Sequence, residues 1–157
     1  MGEVTKAVSE INTEAPVVGE CEIEIAAPPE IAWDVLAAIA RWPSWNPGVK
    51  SVAVDGVIEE GSTFRWKAGP GTIRSTVADM ERPTRMTWTG VSLGIRATHV
   101  HIFEPRDNGT TLVRTRESYD GVFARVFKRR LQAMLDSTLE SELHHLKAEA
   151  ERHESRG

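Results

Sequence analysis

Between residues 18 and 27, VGECEIEIAA, apolar and acidic positions alternate: Cys21, Ile23 and Ile25 are interleaved with Glu20, Glu22 and Glu24. A period of two sends one set to a buried face and the other to water, so the segment reads as a strand. Pro28 and Pro29 end it, and a proline suits the first turn of a helix. Residues 30–39, EIAWDVLAAI, space Ile31, Val35, Ala38 and Ile39 as a short helix does. WPSWNPGV follows at 42–49, where two prolines and a glycine exclude a long regular element. Its tryptophans give it something to bury, so an ordered helical turn is expected.

Six more strands are predicted at 49–54, 62–68, 72–80, 86–91, 96–103 and 111–119. Turn signals such as Gly69-Pro70-Gly71 and Asp107-Asn108-Gly109 separate them, and such short connections make neighbours antiparallel. From 122 to 151 there is no proline or glycine, and Phe123, Phe127, Leu131, Leu135, Leu139 and Leu143 recur every four residues. This predicts one amphipathic helix of roughly 30 residues, about 45 Å long, with Asp120 placed to cap its start. A helix that follows a run of antiparallel strands has to cover one face of their sheet. The fold class is therefore α+β: about seven curved antiparallel strands wrapped around a long C-terminal helix, with two short helices after the first strand. Residues 1–16 are expected as a flexible N-terminal arm, 17–152 as one domain, and 153–157 as a polar, fraying tail.

Charged positions set the parity of each strand. Arg114 and Arg116 outside turn Val113, Thr115, Glu117 and Tyr119 inward. Arg65, Lys67, Arg74 and Arg85 outside turn Phe64, Trp66, Ile73, Ser75, Val77, Met86, Trp88 and Gly90 inward. The strand at 96–103 reads two ways: with Arg96 outside, Ala97, His99, His101 and Phe103 face in and Val100 and Ile102 fall on the outer face, whereas a bulge would change the parity midway and leave the direction of the histidines open. The inner face is then mixed: aromatic and aliphatic walls carrying Ser75, His99, His101, Thr115 and Glu117. A plain core avoids such groups, because each one left unpaired costs roughly 1–3 kcal/mol. A mostly apolar pocket with a few polar groups is what small-molecule sites look like.

Composition narrows the function classes. A net charge of −4 on 157 residues provides no basic stripe for nucleic acid. No apolar run approaches the roughly 20 residues that span a bilayer, so stable membrane insertion is not expected. The first 18 residues lack a basic segment followed by an apolar one, so no secretory signal is expected. The single cysteine, Cys21, cannot form an internal disulfide. It reads as a buried, inert thiol in a cytoplasmic protein.

In this order, the segments APPEIAWDVL, WPSWNPGV, FRW, TWTG, GIRATHVHIFEP, GTTLVRTRESYDG and LHHLKAEAE resemble one family. It is the polyketide cyclase/dehydrase and lipid-transport group of the START/Bet v1-like (SRPBCC) superfamily, and the resemblance covers about residues 18–152. It implies a helix-grip fold with a deep cavity for a hydrophobic ligand between the sheet and the long helix. Members include aromatic cyclases, lipid or quinone carriers and hormone receptors, so the fold does not select one function. In close-looking relatives the sixth strand reads His-Val-Trp; here His101 stands in place of the bulky ring.

His99 and Glu117 are the candidate acid/base pair, since a histidine beside a carboxylate can take a proton next to a carbonyl. The plain alternative is a hydrogen-bonded pair holding the last strands together. Trp66, Ser75, Trp88, His101, Phe103, Thr115 and Trp45, with Phe127, Leu131 and Leu135 of the helix, are the expected ligand contacts. His145, Glu149 and His153 lie at i, i+4 and i+8, but a near-terminal charged stripe is normally a solvated helix face. No metal site and no cofactor is assigned. Three functions compete: a binder or carrier of a small hydrophobic molecule, polyketide-, lipid- or quinone-like; a cyclase or dehydratase using His99 and Glu117; and an interaction protein with a filled interior. The absence of a nucleophile or cofactor motif favours the first. A homodimer through an exposed sheet edge stays open.

Overall fold

The computed structural model describes residues 10–156. Seven strands form one antiparallel sheet: β1 (Val17–Ile25), β2 (Ser51–Val54), β3 (Thr63–Ala68), β4 (Gly71–Glu81), β5 (Arg85–Ser92), β6 (Ile95–Pro105) and β7 (Thr111–Asp120). Their order across the sheet is β1-β7-β6-β5-β4-β3-β2, a meander whose last strand closes back on the first. Helix α1 (Pro29–Ala37), a 3₁₀ turn (Ile39–Arg41) and α2 (Trp42–Trp45) lie between β1 and β2. The two prolines behave as expected: Pro28 precedes the helix in extended conformation and Pro29 occupies its first turn. The indole N–H of Trp33 donates to the Arg85 carbonyl at 2.9 Å, which fastens α1 to β5.

The expected single C-terminal helix is two. Helix α3 (Val122–Val126) ends at Phe127, whose backbone leaves the helical region at φ −105°, ψ 30°, and α4 runs over Lys128–Arg156. The cap also differs. Gly121, at φ 116°, precedes α3 without a side-chain cap, and Asp120 instead accepts a hydrogen bond from the Asn12 side chain at 2.9 Å. At the other end, His153 and its neighbours continue the helix, where Glu149 pairs with Arg152 at 2.7 Å and with His153 at 3.0 Å.

Helix α4 packs along β1 at a close approach that glycine permits. A Cβ on Gly19 would stand 2.9 Å from Leu139 Cδ1 and 3.0 Å from Leu135 Cδ2. Gly19→Val is therefore expected to lower stability by about 1–3 kcal/mol through overpacking, read from urea unfolding. A change below the error of that measurement would mean that the helix shifts freely on the sheet.

The expected arm divides. Residues 1–9 lie outside the described residues. Residues 10–16 are tied to the convex face of the sheet: Glu10 pairs with Arg116 at 2.7 Å and Arg85 at 3.1 Å, and the Asn12 amide donates to Ser118 Oγ at 3.1 Å. Val100 stands in register between Thr87 and Arg116. It is 1% exposed although its parity turns it away from the core, on the face that this segment crosses.

The far end of α4 is held by a charged contact. Glu151 accepts hydrogen bonds from Lys147 Nζ at 2.5 Å and from the Ala26 amide at 2.7 Å. The lysine contact, opposed by partial burial and assisted by the amide, lowers its pKa below the ordinary 4.5. A depressed carboxylate pKa stabilises the fold above the unfolded value, and that contribution disappears as pH falls through the folded one. Glu151→Gln is expected to cost about 0.5–1 kcal/mol near neutral pH. Melting curves of variant and parent should converge in acid below pH 4.5; a gap that persists there would contradict the assignment.

Candidate functional site

Two successive rows of the sheet carry the polar groups. Glu117, His99 and Trp88 are register partners across β7, β6 and β5, and Thr115, His101 and Met86 form the next row. Period-two alternation places all six on the concave side. The two imidazoles lie with ring centroids 4.2 Å apart, and Trp88 stacks on His101 at 4.9 Å. Thr115 Oγ1 and His99 Nε2 share a hydrogen bond of 2.6 Å. Glu117 Oε1 is 3.5 Å from His99 Nδ1.

A second carboxylate arrives from the helix. Glu142 of α4 sets Oε1 3.3 Å from His101 Nε2 and Oε2 3.5 Å from His99 Nε2. These are approaches without hydrogen-bond alignment: both ring nitrogens of His101 and Oε2 of Glu142 are buried with no hydrogen-bond partner. His101 is 0% exposed. Orphaned polar atoms at this depth each cost roughly 1–3 kcal/mol, so they point to a group that is to be bound.

Burial shifts the titration of these groups. Desolvation lowers the His99 pKa to about 3, with Glu142 opposing and His101 adding to the shift. Desolvation, reinforced by Glu142, raises Glu117 well above 4.5. For Glu142 burial pushes upward, but His99 and His101 outweigh it and the direction is down. Burial thus disfavours the charged form of both His99 and Glu117, while the two imidazoles favour the ionised form of Glu142. Cys21 is half-buried and its thiol pKa is raised, chiefly by burial, so it is a poor nucleophile.

The other expected residues divide. His99, His101, Glu117 and Thr115 come together. Trp88 and Phe103 are buried in the wall beside them. Ser75 Oγ accepts the indole N–H of Trp66 at 2.9 Å, so part of its hydrogen-bonding capacity is already used within the wall. Trp45 lies apart from the cluster, lining a surface cleft of about 190 Å³ with Arg41, Glu149 and His153. The helix contacts need correction. Phe127, at the break between α3 and α4, is 48% exposed and stacks on Phe123. Leu131 and Leu135 pack with Val17 and Leu139 against the β1 edge rather than over the histidines. One four-residue spacing ran through Phe127 only because the break is invisible to periodicity.

Two residues escaped the sequence reading. Glu142 falls three positions after Leu139 and four before Leu146, on the buried stripe of α4; a charge on that stripe was the available signal. Trp42, expected only as a buried anchor of the turn at 42–49, is 3% exposed and stands at the centre of the interior. It packs against Trp88 at 5.0 Å, Trp66 at 5.3 Å and Phe64 at 5.6 Å. These rings, with Met86 and Phe103, fill the interior where the resemblance implied a deep cavity. Toward the β5–β6 turn the concave face is more open. There Tyr119, Ala97 and Gly90 are register partners one step beyond Glu117, and Ile73, Ala97 and Tyr119 are only half-buried.

Known proteins bear on this geometry. The family described as polyketide cyclase / dehydrase and lipid transport matches residues 17–151. A START superfamily protein from Mycobacterium smegmatis superposes with a TM-score of 0.75 at 15% identity, over 86% of this chain and 97% of that one. The ZhuI aromatase/cyclase from Streptomyces sp. R1128 gives 0.73 at 17% identity, over 86% and 93%. A hypothetical protein from Helicobacter pylori gives 0.80 at 16% identity, over 89% and 91%. At these identities the likeness establishes the helix-grip fold. No curated protein matches the sequence. No helix among the described residues is long and apolar enough to cross a membrane.

Proposed function

The chain belongs to the polyketide cyclase / dehydrase and lipid transport family, and from that premise we propose that it binds a small, largely apolar organic ligand carrying a carbonyl or hydroxyl. Family membership supports hydrophobic-ligand binding in general. The ligand lies along the open part of the concave face, over Gly90, Ala97 and Tyr119, with its polar end toward His99 and Glu117. The observation that carries this reading is the buried polar cluster, with hydrogen-bonding capacity unspent on His101 and Glu142, beside the half-buried Ala97 and Tyr119. Exposed side chains flank the open end: Phe123 is 52% and Leu93 64% exposed, an apolar rim suited to receiving such a molecule.

Acid/base catalysis by His99 and Glu117 is less well supported. A useful general base has a pKa near the working pH, whereas burial holds His99 at about 3. The pair is better suited to donating and accepting hydrogen bonds than to moving protons.

Ala97→Trp places a large ring on the concave face at a half-buried position, one row from His99 and Glu117. Native mass spectrometry of protein purified from its own host should show a bound small molecule in the parent and none in Ala97→Trp. Saturable quenching of tryptophan fluorescence by 2-naphthol should be lost in parallel. Absence of both an adduct and saturable quenching in the parent would refute the proposal.

A further inference from the structure

We propose that His99, His101 and Glu142 form a site for a divalent transition-metal ion of the zinc class, with Glu117 as the outer carboxylate that orients His99. Zinc binds imidazole nitrogen and carboxylate oxygen at roughly 2.0–2.2 Å, so two ligand atoms of one tetrahedral ion stand about 3.4 Å apart. The two Glu142 oxygens divide between the rings, Oε1 standing 3.3 Å from His101 Nε2 and Oε2 3.5 Å from His99 Nε2, so whichever oxygen ligates is already near that spacing from one ring and the other ring has to close in. All three ligand atoms fall within 4.8 Å of one another. The two imidazole nitrogens need to approach by at most roughly 1.4 Å to reach that spacing, a movement that ring rotation supplies.

The surroundings fit a metal better than a hydrogen-bond network. His101 is wholly buried, and neither of its ring nitrogens has a hydrogen-bond partner. The Glu142 carboxylate faces two imidazole nitrogens, and among the described residues no Lys or Arg side chain pairs with it. Glu117, 3.5 Å from Nδ1 of His99, stands on the side of the ring opposite the ligating Nε2. A carboxylate there fixes the ring's tautomer and orientation, as outer partners of metal-bound histidines do. The Thr115 hydroxyl, now 2.6 Å from His99 Nε2, is the group the ion displaces. Three protein ligands leave a coordination position for an oxygen of water or of a bound molecule. The site stands independently of the organic ligand, because the ion is assayed alone.

The test uses the untagged full chain, stripped with EDTA and dialysed against Zn²⁺ or Co²⁺. One equivalent per chain is expected by elemental analysis, with visible Co²⁺ bands of a four- or five-coordinate ion. Glu142→Gln should weaken Zn²⁺ by at least about 100-fold, since loss of an outer partner alone costs roughly 10–100-fold. His153→Ala should bind like the parent, which separates this site from the exposed Glu149–His153 pair on α4. Where Glu142→Gln does not fold, ¹⁵N-histidine spectra of the parent decide. Zn²⁺ shifting His99 and His101 supports the site, and shifts confined to His144, His145 and His153 overturn it. Folded parent that retains no metal after dialysis, or Glu142→Gln that binds as tightly as the parent, overturns it as well.

Discussion

Trp42→Ala is expected to lower stability by about 3–5 kcal/mol, a large part of the roughly 5–15 kcal/mol that holds a domain of this kind together. The ring is 3% exposed and touches three other aromatic rings at 5.0–5.6 Å. Its indole N–H also donates to the Leu36 carbonyl at 2.9 Å, a buried acceptor that truncation leaves unpaired. The cost is thus a lost apolar surface, a cavity and an orphaned carbonyl acting together. Guanidinium unfolding followed by far-UV circular dichroism measures it. An apolar cavity of this kind stays dry and takes up small aromatics, so added indole should raise the melting temperature of the variant and leave the parent unchanged. A loss below about 1 kcal/mol would mean that Trp42 does not pack at the centre.

The second large effect has the opposite sign. In metal-free buffer, His101→Leu combined with Glu142→Leu is expected to stabilise the fold by about 1–4 kcal/mol. Buried charged groups replaced by well-packed apolar ones of similar volume often give that gain. Both side chains contain buried polar atoms without hydrogen-bond partners, so their removal leaves little unpaired, and His99 keeps its bond to Thr115. A network retained for stability would instead lose roughly 3–5 kcal/mol when broken. The same pair of substitutions should abolish zinc retention. Urea unfolding beside elemental analysis separates the two cases: destabilisation accompanied by unchanged metal content would refute a functional role for the cluster.

Most of the architecture was legible because strands with one wet face advertise it. Charges at Arg65, Arg74, Arg85, Arg114 and Arg116 set the parity of β3, β4, β5 and β7, and the structure places their neighbours on the concave side as that parity requires. The register that brings His99 opposite Glu117 follows from meander order and hairpin length. Val100 illustrates a limit. It lies on the outward parity yet is 1% exposed, on a face that Glu10 and Asn12, roughly ninety residues earlier in the chain, cross through their contacts with Arg116 and Ser118. The break at Phe127 was hidden for another reason: a four-residue repeat continues across a kink when the residues after it bury against a different surface.

Local chemistry alone determined the seven strands, the proline-started helix and the amphipathic C-terminal segment, because each depends on neighbours within a few positions; the inward direction of both histidines was settled only by the unbroken register of β6 with β5 and β7. Which carboxylate reaches those histidines was decided only when α4 settled on β1 at Gly19, bringing Glu142 to within 3.5 Å of residues some forty positions away. Trp42 likewise became the centre of the interior through three rings drawn from two strands, Phe64 and Trp66 of β3 and Trp88 of β5. Periodicity reports which face of an element is buried; the partner that meets it is set by packing between elements, and that is where the candidate site is assembled.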